Sequence, residues 1–352
     1  MRKLIIPILI LSLLLSGCGS WLDGEYHSVK PHLSDGTKLP DDVVTVSSYL
    51  QVRDALLDVV AAGLQESTFY IAGFDLETAD EYMYTAMNYV LENSAVGAYA
   101  VDKIEYESGA KGGADAIAID ITYLHGRQEI LRIKNARDMD SVKTMVEAAV
   151  KKCEPSLVVK VDAYVAMDMA LFVQEYANRY PDLCMEVPQV SVSTYPSYGD
   201  ERVLEIGFAY TTARDTLRSM QSIVSPIFSA AKLYVQGSDD PMQKYEQLYS
   251  FLMERFDYTI ETSITPAYSL LRYGVGDSRA FALVYNTMCQ NADLECQVIS
   301  GTRNGEAYYW NRILFEDIEY HIDLLACNEA GEFAVMLPEE MTGYVWDYSA
   351  ER

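Results

Sequence analysis

Three short segments in the last third of this 352-residue chain carry side chains able to do chemistry. In Gly276-Asp277-Ser278-Arg279-Ala280-Phe281-Ala282 an alcohol stands at the head of an apolar stripe made by Phe281, Val284, Tyr285 and Met288, which is helical in period. Downstream come Tyr308-Tyr309-Trp310-Asn311 and Glu319-Tyr320-His321-Ile322-Asp323. An alcohol attacks only when a base touches it. A phenol, with an ordinary pKa of about 10, donates hydrogen at neutral pH and accepts protons poorly. A carboxylate beside the phenol, here Asp323, would take its hydrogen and hold it neutral. The imidazole nearest in sequence is His321, about 7 Å along the same strand face from Asp323. It is the candidate base if Ser278 is to react. Cys289 lies about 16 Å down the helix from Ser278 and cannot act at the same spot. These residue types describe a pocket that holds rather than cuts, unless His321 supplies the base.

The order and spacing of the three segments resemble the transglutaminase-like family, whose Cys opens a helix in a pattern like G-x-C-x-x-[YF]-A. Its His sits in H-[AV]-W-N and its Asp ends a strand in a pattern like W-Y-x-[VIL]-D. The resemblance covers about residues 242–348, under a third of the chain, and takes in the tail Tyr344-Val345-Trp346-Asp347. It implies a small α+β domain with the nucleophile helix packed on an antiparallel sheet. It places Ser278 at the nucleophile, Tyr308 at the base and Asp323 at the orienting acid, so two of three reactive groups are replaced. A degenerate triad of this kind implies a pseudoenzyme whose cleft survives, with Trp310, Tyr309 and Asn311 as ligand-binding residues. The opposing reading is that Trp310 and Tyr309 pack the sheet and close the groove.

The elements that must position these groups follow from pattern. The Ser278 helix ends near Asn291, and strands follow at Leu294–Ser300, Ala307–Phe315 and Tyr320–Leu325. Asn304-Gly305 reads as a hairpin turn. A helix over Pro241–Phe256 precedes them, after a polar boundary at Gln236–Pro241.

Residues 46–235 read as an internal repeat. Ile117, Ile119, Ile121 and Tyr123 recur as Leu204, Ile206, Phe208 and Tyr210, 87 positions on. Each copy reads helix, strand, helix, strand, strand. A single copy would leave one sheet face bare, so pairing of the two is expected to bury it. A further helix after Tyr210 is expected to break near Pro226. The fold class is therefore α+β, a tandem α/β repeat followed by a transglutaminase-like α+β domain over residues 241–352.

The N-terminus bears on location. Arg2 and Lys3 precede the apolar run Leu4–Leu15, which is too short to span a membrane as a mature helix. Leu15-Ser16-Gly17-Cys18 then resembles a bacterial lipobox. The resemblance implies removal of residues 1–17 as a signal peptide, lipidation of Cys18, and a membrane-anchored lipoprotein on the extracytoplasmic face of the cell envelope. Residues 18–45 read as a tether with a reach of roughly 30 Å. The net charge of −25, from 27 basic and 52 acidic side chains, argues against nucleic acid as a partner. Expected partners are an envelope peptide, a glycan or an exported protein. Besides Cys18 there are Cys153, Cys184, Cys289, Cys296 and Cys327, an odd number with no metal spacing, so buried free thiols are expected. No glycine-rich phosphate loop is present, since Gly112-Gly113 sits in a hairpin, and no cofactor or metal is expected. The alternative function is a serine-dependent hydrolase or acyl transferase acting on cell-envelope peptides through Ser278.

Overall fold

The structure, a computed structural model, describes residues 44–258 and 266–347. The expected signal peptide, Cys18 and nearly all of the tether lie outside the described residues. The first copy runs β1 (Val44–Val46), α1 (Tyr49–Ala61), β2 (Glu66–Ile71), α2 (Leu76–Glu92), α3 (Ala95–Ala100), β3 (Val101–Lys111) and β4 (Ala114–Tyr123). After a single turn of helix, α4 (Arg127–Ile130), the second copy runs β5 (Lys134–Asp138), α5 (Met139–Lys151), β6 (Ser156–Ala163), α6 (Met169–Arg179), β7 (Gln189–Tyr195) and β8 (Arg202–Ala209). The sheet orders are β1-β2-β4-β3 and β5-β6-β8-β7, each with a parallel first pair and antiparallel remainder. The two units therefore share one topology. Ile117, Ile119 and Ile121 point into the first core, and Leu204, Ile206 and Phe208 into the second.

Each unit also opens with a short edge strand that the sequence pattern does not announce. Lys134–Asp138 is a polar stretch with one buried residue, Ala136. Its extended form comes from backbone pairing with β6, not from side-chain propensity.

The copies do not pack sheet to sheet. Helix α3 of the first lies on the outer face of the second sheet, where Ala95, Tyr99, Ala100, Ile130 and Val203 form a buried cluster. The outer face of the first sheet stays open to solvent, with Lys103, Glu105, Asp120 and Thr122 exposed. The expected burial of a bare face thus happens for one copy, and the other meets water with polar side chains. Gly97 makes the α2–α3 corner possible, because a methyl there would run into the Val90 carbonyl.

The remaining elements are α7 (Arg214–Tyr234), α8 (Pro241–Met253), β9 (Asp257–Tyr258), α9 (Pro266–Tyr273), β10 (Val275–Gly276), α10 (Ser278–Asn291), β11 (Cys296–Arg303), β12 (Glu306–Phe315), β13 (Ile318–Ile322), α11 (Leu324–Ala330) and β14 (Tyr344–Trp346). Helix α7 continues through Pro226, where a break was expected. Proline removes one backbone donor. The stripe Leu217, Met220, Val224, Phe228 and Ala231, buried on one side, holds the helix across that gap. This stripe joins Leu248, Leu252, Leu270, Phe281, Val284 and Ile313 in one core. The sheet order is β13-β12-β11-β14, antiparallel throughout. Asn304 (φ 55°) and Gly305 (φ 85°) form the expected tight turn between β11 and β12. All five described cysteines are buried free thiols.

Candidate active site

Asp277 caps helix α10, its Oδ1 accepting the Ala280 N–H at 2.9 Å. The cap fixes Ser278 as the first helical residue, directly over the sheet. The backbone N–H of Tyr309 donates to Ser278 Oγ at 3.4 Å. Gly276 lets the chain pass this close, because a methyl there would sit 2.9 Å from the Ala280 side chain. Ser278 is only 9% exposed. One reason lies outside the domain. The next residue, Arg279, donates from Nη2 to Asn178 Oδ1 on α6 at 3.0 Å. Its guanidinium also lies 5.7 Å from the centre of the Tyr309 ring. The second repeat copy is thus seated on the nucleophile helix and narrows the approach to Ser278.

Asp323 is the centre of the arrangement and is wholly buried. It caps α11 by accepting the Leu325 and Ala326 N–H groups, both at 3.1 Å, on Oδ1. The same oxygen accepts the Tyr308 hydroxyl at 3.0 Å. Its other oxygen accepts the Tyr344 hydroxyl at 2.5 Å and faces Arg303 Nη1 at 3.4 Å. Arg303 also donates to the Tyr308 hydroxyl at 3.2 Å, and its guanidinium stands over the rings of Tyr308 and Tyr344. Burial pushes the Tyr308 phenol well up, and the Asp323 carboxylate pushes it further. Tyr344 rises for the same two reasons. Burial lowers the Arg303 guanidinium, and Asp323, Tyr344 and Tyr308 together more than reverse this. At neutral pH Tyr308 therefore keeps its proton and donates it in the hydrogen bond to Asp323. Among the described residues, the one hydrogen bond that reaches Ser278 Oγ comes from the Tyr309 N–H.

Arg303 and Tyr344 escaped the motif reading. They lie 20 residues before and 21 after Asp323; Arg303 is at a hairpin end with no local signature, and the resemblance takes in the Tyr344 tail without giving the phenol a role. The available signal was indirect: a carboxylate expected inside a small sheet requires a cation and donors.

His321 does not serve Ser278. Its Nδ1 accepts the Trp310 indole N–H at 2.9 Å and its Nε2 lies 3.2 Å from Glu319. Among the described residues no imidazole hydrogen-bonds Ser278; His125 stacks on Tyr99 in the first copy. Trp310 and Asn311 also differ from expectation. Trp310 is 1% exposed, wedged among Ile299, Met341, Tyr344 and Trp346. Asn311 is fully buried and donates from Nδ2 to the Ala282 carbonyl at 2.9 Å, tying β12 to α10. Neither can line a ligand groove, because alternate residues of β12 are claimed on one side by α10 and on the other by the β14 tail. Tyr309 alone of the three is partly open.

The indole bond fixes His321 as a neutral ring protonated on Nε2. Burial lowers its pKa, and Glu319 only partly opposes this. The unfolded chain takes up this proton near the ordinary value of about 6.5, and the folded protein takes it up at a lower pH. Below about pH 6.5 the unfolded state thus binds more protons, and the contribution of neutral His321 to stability is lost as pH falls through the folded value. The expected result is that the melting temperature of the parent drops more between neutral pH and about pH 5 than that of His321→Gln. Parallel curves would exclude His321 as the source.

A family model described as the transglutaminase-like superfamily matches residues 229–323. The C-terminal part of the chain is accordingly a transglutaminase-like domain. Among solved structures, the chain is similar to a TGase at 9% identity, covering 55% of this chain and 58% of that one, with a TM-score of 0.25. It thus spans little more than half of that protein. A protein provisionally assigned as a cysteine protease from Cytophaga hutchinsonii aligns at 10% identity over 45% of this chain and 70% of that one, TM-score 0.27. A provisionally assigned protease from Parabacteroides distasonis aligns at 7% identity over 73% and 39%, TM-score 0.24. No curated protein matches the chain.

Proposed function

We propose that this chain is an extracytoplasmic lipoprotein, anchored through Cys18, whose transglutaminase-like domain binds or scaffolds and does not catalyse. The observation that carries the reading is the company kept by the triad positions. Among the described residues Ser278 meets a backbone N–H and no base, while the Asp323 carboxylate is enclosed by Arg303, Tyr308, Tyr344 and a helix N-terminus. Loss of a nucleophile–base pair typically removes several orders of magnitude of rate. The partners this reading favours are an extended envelope peptide, a glycan or an exported protein, met at the rim formed by Tyr309 and Arg279. The net charge of −25 favours partners with basic or balanced charge.

The test is to incubate the purified protein with acyl-donor peptides and amine acceptors, alongside Ser278→Ala. No turnover above background in either, and no labelling of Ser278 by a serine-reactive phosphonate, is the expected result. Turnover that Ser278→Ala abolishes would replace the binding role with a serine-dependent hydrolase or acyl transferase. Loss of the anchored fraction in Cys18→Ser cells, read by membrane fractionation, tests the location separately.

A further inference from the structure

The two repeat copies each end their sheet on an exposed edge strand, β3 in the first and β7 in the second. An edge strand is a template for pairing unless it is guarded. Strand β3 is guarded. It carries Asp102, Lys103, Glu105, Glu107 and Lys111, and its register shifts between Val101 and Lys103. Strand β7 has none of these devices. Gln189-Val190-Ser191-Val192-Ser193-Thr194-Tyr195 is uncharged and contains neither proline nor glycine. It pairs with β8 without a shift over its whole length. In the first copy the same topological position is filled with charge; in the second, within a chain of net charge −25, it is bare of it. Gln189, Ser191, Val192 and Ser193 are exposed, and Val192 is an exposed apolar side chain at 43%. Among the described residues, no backbone hydrogen bond reaches β7 from any element but β8.

The strand is also self-complementary. Laid antiparallel on itself about Val192, it sets Val192 against Val192, Ser191 against Ser193, Val190 against Thr194 and Gln189 against Tyr195. Every pair is uncharged. The central pair covers the exposed valine, and the serines can exchange hydrogen bonds across the strands. We infer that β7 is the interface with a second copy of this chain, joined about a two-fold axis through Val192 so that two four-stranded sheets become one of eight. A strand from a different protein would gain the same backbone bonds but would have no reason to find a symmetric sequence. The absence of charge also keeps two strongly acidic chains from meeting through their acidic surfaces.

The symmetric register gives a sharp test. In Val192→Cys full-length chains, mild copper-phenanthroline oxidation is expected to give a disulfide-linked dimer, because residue 192 faces its own copy. Thr194→Cys is expected to give none, because its two copies lie four positions apart. Sedimentation velocity through the micromolar range is expected to show a dimer in the parent. Val192→Pro or Val192→Lys should weaken it at least about tenfold, with the melting temperature as a check that the monomer stays folded. A parent that stays monomeric throughout, cross-linking equal at 192 and 194, or a dimer indifferent to both Val192 variants would each overturn the inference. So would a monomer that holds a different protein along β7.

Discussion

Asp323→Ala is expected to destabilise the C-terminal domain by about 3–5 kcal/mol, the cost of removing a buried carboxylate and leaving the donors around it without an acceptor. The carboxylate holds two phenol hydroxyls, one guanidinium and the first turn of α11 at once. Its removal leaves Arg303 facing two aromatic rings with no counter-charge, and it frees two helix N–H groups that a cap would satisfy. Asp323→Asn keeps one acceptor oxygen for the cap and one phenol but sets an amide NH2 against the Tyr344 hydroxyl and Arg303, so an intermediate loss is expected. Chemical denaturation followed by tryptophan fluorescence reads both, since Trp310 and Trp346 lie in this domain. A midpoint for Asp323→Ala close to the parent's would show that the acid is not the centre of the network. In this chain Asp323 joins β13, α11 and the β14 tail through one carboxylate.

Trp310→Ala is the second large effect, about 3–5 kcal/mol from cavity formation. The ring is almost completely buried and packs edge-on against both Tyr344 and Trp346. Gly301 lies so close that a methyl there would meet the indole at 2.7 Å. The substitution also leaves His321 Nδ1 without its donor. The tail strand β14, only three residues long, pairs with β11 and packs on this ring, so loss of the ring should loosen it and carry Tyr344 away from Asp323. Trp310→Phe retains most of the contact area and loses the hydrogen bond, for which about 1 kcal/mol is expected. Hydrogen exchange at Tyr344–Trp346 separates the two outcomes. If exchange there is unchanged in Trp310→Ala, the tail does not depend on the indole.

Much of this architecture was legible before any coordinates. Period-2 alternation placed Ile117–Ile121 and Leu204–Phe208 on core faces, and Asn304-Gly305 marked its hairpin. The three motifs gave the helix and strands that bring Ser278, Tyr309 and Asp323 into one domain. What failed did so for identifiable reasons. The strand Lys134–Asp138 is polar because its partner β6, not its own side chains, makes it extended. Pro226 carried a local signal that a buried stripe overrode. Trp310 and Asn311 looked like groove residues because the motif contains them, but which side of β12 is covered depends on a tail 34 residues beyond Trp310. Arg303 and Tyr344 converge on Asp323 only through the fold, and no spacing rule connects them.

Helix α7 belongs by sequence to the stretch that follows the second repeat, yet its Leu217, Met220, Val224 and Phe228 are part of the same core as the nucleophile helix. Anyone excising the reactive-looking portion at the polar stretch 236–240 would shear off that flank and leave a greasy scar along α9 and α10. A fragment meant for ligand screening has to begin ahead of Arg214, and a chimaera that exchanges the terminal portion has to carry this helix with it.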